Sequence, residues 1–144
     1  MSKPETERLS GMQEIVDKLL SERQEMLVMF CKLAGLQPYT HSTDAELLQR
    51  FCEVLVDYSA FGHFEIFERI VNGDEKLGPV VDVAREVYPR IAESSEFAVE
   101  FNDKYDAADH KLHMQGLDED LSRLGEELAV RIEMEDRIIN AFRQ

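Results

Sequence analysis

The chain has 144 residues, 44% hydrophobic and 32% charged, with 30 acidic against 16 basic side chains and a formal net charge of −14. That length holds one domain with a real core, 1–144, and the acidity argues against direct nucleic-acid binding, because phosphates require Lys and Arg. No run nears the roughly 20 apolar residues of a membrane span, and the N-terminus lacks the apolar core of a signal peptide. A cytoplasmic protein without membrane contact is expected, its charge serving solubility or a basic protein partner. Cys31 and Cys52, isolated and without zinc spacing, read as buried small hydrophobes.

Four helical blocks follow one another, with no convincing strand. The first runs from near the N-terminus to about Ala34, with Leu9, Met12, Val16, Leu19, Met26, Phe30 and Leu33 at helical spacing. Ser10 with Gln13, or Ser2 with Glu5, are candidate capping boxes. Gly35 and then Pro38 stop it. The second block opens at Thr43-Asp44-Ala45-Glu46, another capping box, and runs to Asn72-Gly73. The third follows Gly78-Pro79 and reaches about Tyr105, with Pro89 expected to kink or divide it. The fourth starts near Gly116 or Leu117 and continues to the C-terminus. Long blocks joined by short loops predict an all-α fold, a single antiparallel four-helix-type bundle with a Pro-kinked third helix.

The second block carries more apolar surface than one core stripe needs. Phe51, Leu55, Tyr58, Gly62, Ile66 and Ile70 form an adequate core face. A second row holds Val54, Asp57, Phe61, Phe64 and Glu68, and a third holds Val56, His63 and Phe67. Either this helix is central to the bundle, or its second row faces a partner. Asp57 and Glu68 among aromatics favour a partly exposed surface, since buried carboxylates are costly unless paired. Gly62 inside a helix costs about 1 kcal/mol relative to Ala, and gives a neighbouring helix or side chain room to approach.

On the fourth block, Leu117, Leu121, Leu124, Leu128, Arg131, Glu135, Ile138 and Phe142 form a seam that two charges interrupt. Arg131 and Glu135 are either an i, i+4 ion pair shielded by the bundle or the lining of a polar cleft. Metal binding is poorly supported. His63 and Glu68 are five apart, off the i, i+3 or i+4 spacing that shares a face. His110 and His113, near Asp106 and Asp109, lack further ligands. No phosphate loop or nucleophile elbow is present, so neither catalysis nor a cofactor is expected.

The segment FCEVLVDYSAFGHFEIFERI at 51–70 resembles the core signature of the Rsd/AlgQ family, bacterial regulators of the primary sigma factor, with a pattern near FCQxLVDYxSAGHFxxYExL. Phe51, Cys52, Leu55, Val56, Asp57, Tyr58, Gly62, His63, Phe64 and Glu68 match it. IVDKLLSERQEMLVMFCKLAG at 15–35 and LGEELAVRIEMEDRII at 124–139 resemble the family's first and last long helices, the former through Val16, Asp17, Leu20 and Arg23. Phe61 adds an aromatic to the usual small-residue run. Leu19 or Leu20 stands where the family often has Trp, which this chain lacks.

The resemblance implies a helical anti-sigma protein that binds the C-terminal domain of the sigma-70-class factor, a basic helix-turn-helix that reads the −35 element and docks on core polymerase. The family aspartate implicated in sigma binding matches Asp57. The expected interface is Asp57, Phe61, His63, Phe64 and Glu68, with Asp17 and Arg23 from the first helix; Gly62 and Tyr58 serve close packing. The phosphocarrier HPr is a second partner by family analogy. The alternatives are a helical adaptor for another basic partner, and a hemerythrin-like metal-binding bundle.

Overall fold

The computed structural model describes residues 3–35, 45–67, 70, 78–105 and 116–143, and for 3–10, 45, 63 and 64 the backbone alone. Among the described residues all regular structure is helical. The elements are α1 (Lys3–Ala34), α2 (Ala45–Phe61), a π-helical turn (Gly62–Phe67) that continues α2, α3 (Gly78–Tyr105) and α4 (Leu117–Arg143).

Local chemistry explains most of the ends. Gly35 takes φ 71° after α1, the left-handed position that glycine fills without strain at a helix C-terminus. Gly116, at φ 85°, precedes α4, and its carbonyl accepts the Asp120 amide at 3.0 Å as the first bond of the helix. Asp118, Glu119 and Asp120 then place negative charge at the positive end of the α4 dipole. Ser10 is no cap: α1 starts at Lys3, so Ser10 lies inside it. The Ser2 start, the Thr43 cap and the Asn72-Gly73 end lie outside the described residues. Pro89 does not divide α3, which runs as one element with that ring exposed. There the missing N–H costs one backbone bond on the solvent side rather than in the core.

Cross-helix pairs give the direction of packing. Between α1 and α4, Phe30 meets Gly125, Arg23 meets Asp136 and Arg143 approaches Asp17, so rising numbers on one helix meet falling numbers on the other. Between α3 and α4, Lys104 pairs with Asp120, Arg90 with Glu127 and Arg137 with Glu86, again antiparallel. Phe51 of α2 contacts Phe30 of α1 and Phe101 of α3, with ring centroids 6.1 and 6.0 Å apart. The four helices thus close an antiparallel bundle. At one end the Tyr105 hydroxyl donates to Asp120, which Lys104 also reaches at 2.6 Å. Bonds from Lys104 and then Tyr105 hold the Asp120 carboxyl below its usual range.

The π-turn resolves the surplus of apolar residues in α2. An α-helix returns to one face every three or four residues; a π-turn bonds i to i+5 and delays that return by about one residue. Phe67 therefore comes round to the side of Gly62, where a Cβ would lie 3.6 Å from Phe67 Cε2. Phe67 and Ile66 are each only 1% exposed. Phe67 thus belongs to the core and not to the third row that α-helical spacing assigned it. Val54 and Phe61 are half-buried and pack on the core edge.

Candidate functional site

Asp57 lies on α2 in solvent, directly before Tyr58, which is fully buried. Facing it from α1 is Glu22, and the pair define an acidic seam between the two helices. The Glu22 carboxyl is raised from its usual value by burial first and by the charges of Asp57 and Glu25, with Lys18 opposing. Glu22 Oε2 is covered and has no hydrogen-bond partner. The Lys18 ammonium sits 4.7 Å from the centroid of the Phe61 ring, a cation over an aromatic face. The face between α1 and α2 therefore holds Asp57, Glu22, Lys18 and Phe61.

Glu22 was invisible to sequence reasoning because one of many acidic residues on α1 carries no spacing signal; only the approach of α2 distinguishes it. Its raised value has a sign. The folded state binds the proton more tightly than the unfolded chain, so stability falls as pH rises from the ordinary carboxylate range through the raised value. Glu22→Gln is expected to stabilise the fold at neutral pH, by less than about 1 kcal/mol, because solvent still screens this half-buried side chain. The gain should shrink on acidification. Urea titrations of both proteins at neutral and acidic pH check this, and a gain that grows in acid would contradict it.

Two of the other expected interface residues, Asp17 and Arg23, turn to α4. Asp17 is exposed, accepts Gln13 Nε2 at 2.8 Å and has Arg143 of α4 at 4.0 Å. Arg23 is half-buried and turns to α4, donating to Asp136 at 2.9 Å and to Glu135 at 3.3 Å. Burial works against its charge, but the bond to Asp136 and the Glu135 carboxylate more than offset this. Asp17 and Arg23 thus make their contacts with α4, while Lys18 and Glu22 face α2. His63 and Phe64 are placed by their backbone in the π-turn; their side chains, and Glu68 altogether, lie outside the described residues, as do His110 and His113. Among the described residues Val99 is the only exposed large hydrophobic side chain, so charge dominates the described part of the α1–α2 face.

Behind Asp57 lies a buried polar network that joins all four helices. Arg131 and Glu135 of α4 are each 1% exposed, so they are enclosed in the bundle and line no open cleft. Arg131 Nε donates to Glu135 Oε2 at 3.0 Å, Nη1 to Ser94 and Ser95 Oγ at 3.1 and 2.7 Å, and Nη2 to the Ser59 carbonyl at 3.1 Å. The Ser94 hydroxyl in turn donates to the Ile91 carbonyl at 2.6 Å. Glu135 Oε1 accepts Tyr58 Oη at 2.5 Å and Arg23 Nη1 at 3.3 Å. Burial and the adjacent Glu135 charge push the Tyr58 phenol well above its usual range, so it stays a donor. The i, i+4 ion pair of Arg131 and Glu135 is present; its partners on three other helices had no signature in the sequence. Gly62 packs against the same guanidinium, where a Cβ would lie 3.0 Å from Arg131 Nη2. Its space therefore serves a side chain of α4.

Arg131 and Glu135 are satisfied in this network, whereas the buried Ser59 hydroxyl has no hydrogen-bond partner; no group of three His, Cys, Asp or Glu suited to a metal occurs among the described residues. Nor, among them, is any helix long and apolar enough to cross a membrane.

A family model described as regulator of RNA polymerase sigma(70) subunit, Rsd/AlgQ, matches residues 2–143. Proteins named Regulator of sigma D are similar along most of the chain. One from Yersinia pseudotuberculosis serotype O:1b (strain IP 31758) is 30% identical over 146 residues, covering 93% of this chain and 82% of the relative. One from Yersinia enterocolitica is 32% identical over 146 residues, covering 93% and 83%. One from Enterobacter sp. (strain 638) is 33% identical over 139 residues with the same coverage as the last. No solved structure matches.

Proposed function

Because the chain belongs to the Rsd/AlgQ family of regulators of the RNA polymerase sigma-70 subunit, we propose that it is an anti-sigma factor that captures the C-terminal domain of the primary sigma factor through the α1–α2 face around Asp57. The observation that carries this reading is the state of Asp57. It is exposed, and the residues that follow it, Tyr58 and Ser59, are fixed in the core; the resemblance of 51–70 to the family signature supports the same position. A carboxylate held on so rigid a base suits an Arg or Lys of a basic helix-turn-helix.

Charge governs the encounter. A protein of net charge −14 attracts a basic domain at a distance and disfavours acidic partners. Salt screens such fields over about 8 Å at physiological ionic strength, so affinity falls as salt rises. Phe61, half-exposed beside Lys18, supplies apolar contact at the edge of the acidic seam. Covering the −35-reading surface withholds sigma from promoter and core enzyme, which leaves polymerase to alternative sigma factors.

The test is a titration of the purified protein with the isolated C-terminal domain of its host's primary sigma factor at two salt concentrations. Saturable binding that weakens with salt is expected. Asp57→Ala should cost about 2 kcal/mol, roughly a thirtyfold loss of affinity, by removing one partner of a close charge pair. Equal binding by wild type and Asp57→Ala would move the site elsewhere on the bundle.

A further inference from the structure

Building on the function proposed above, we propose that Arg131 is the positioning residue of the sigma-binding face: from inside the bundle its guanidinium sets the α-to-π transition that follows Asp57. Three observations converge on it. The first is where its bonds go. At an α-to-π junction the acceptor ladder shifts from i+4 to i+5, so carbonyls near the junction change donors. Arg131 Nη2 donates to the Ser59 carbonyl at 3.1 Å, just ahead of the turn that begins at Gly62.

The second is contact. Gly62 opens the π-turn, and any side chain there would meet Nη2 at 3.0 Å. The guanidinium thus rests on the backbone of the first π residue while holding a carbonyl of the preceding turn. The third is independence. Three further donors of Arg131 are held by Ser94 and Ser95 of α3 and by Glu135 of α4, so α3 and α4 fix the guanidinium and α2 conforms to it. Glu135 also holds Tyr58. Both residues that follow Asp57 are therefore tied to a reference outside their own helix.

Lysine cannot do this. Its ammonium is a point donor, whereas the planar guanidinium reaches four acceptors in fixed directions. Arg131→Lys keeps the charge beside Glu135 and gives up the Ser59 carbonyl or the serines.

The experiment compares Arg131→Lys with Leu128→Ala, a buried apolar truncation on the same helix, below the melting temperature of both. Affinity for the sigma C-terminal domain and amide hydrogen exchange over 59–67 are measured together. Arg131→Lys should bind roughly tenfold more weakly and exchange faster across the π-turn. Leu128→Ala, even with an equal or greater loss of Tm, should stay within about twofold of wild-type affinity. Should Arg131→Lys fail to fold, Gly62→Ala takes its place, displacing the guanidinium from the α2 side. Wild-type affinity in Arg131→Lys, or in that substitute, overturns the positioning role and leaves the proposed function standing. A wild-type protein that does not bind the sigma domain overturns both.

Discussion

Replacing Arg131 by methionine is expected to cost the fold about 3–5 kcal/mol, the usual penalty for breaking a buried ion pair from one side. Methionine fills similar volume, so the loss is electrostatic. Glu135, with a fully covered side chain, keeps Tyr58 and Arg23 but loses its closest cation. The Ser59 carbonyl and the two serine hydroxyls lose their donor, and each unsatisfied buried group carries its own desolvation cost. Natural domains have only about 5–15 kcal/mol in total, so the variant should unfold at much lower urea. Adding Glu135→Leu should recover part of the loss, because an apolar pair removes the uncompensated charge. A single substitution costing under about 1 kcal/mol would mean that water or a rearranged Arg23 satisfies Glu135.

Phe51→Ala should be as damaging through a different mechanism. Phe51 is fully buried where α1, α2 and α3 meet, against the rings of Phe30 and Phe101. Truncation removes apolar contact and leaves a void that three helices cannot easily close, at about 3–5 kcal/mol. Affinity for sigma, measured on the fraction still folded, should change little, because Phe51 lies away from the exposed α1–α2 face. Denaturant unfolding and a binding titration at low temperature separate the two. A fall in affinity without a fall in stability would place Phe51 in the partner's path.

The bundle and several of its helix ends were legible. Periodicity on α1, Gly35, Gly78, Tyr105 and Leu117 marked boundaries that the structure keeps, and Arg131 and Glu135 stood out as charges in an apolar seam. Two things were hidden for physical reasons. Reading faces from sequence assumes one helical repeat throughout, and the π-turn breaks that assumption, so Phe67 looked misplaced until the register shift returned it to the core. Pairing across helices depends on tertiary approach, so nothing in local spacing linked Arg131 to Ser59 and Ser94, or Glu22 to Asp57. Arg23 shows both sides of this: its position in a family-like segment was readable, its attachment to Asp136 was not.

The linked centre around Arg131 also bears on how such a protein changes over generations. Each member satisfies a neighbour on a different helix, so a lineage that alters one of them passes through a form with an orphaned charge or donor. Drift should therefore be free on the acidic outer faces and nearly stopped at this centre. Where the centre does change, several of its positions should change in concert, leaving a correlated signature among descendants.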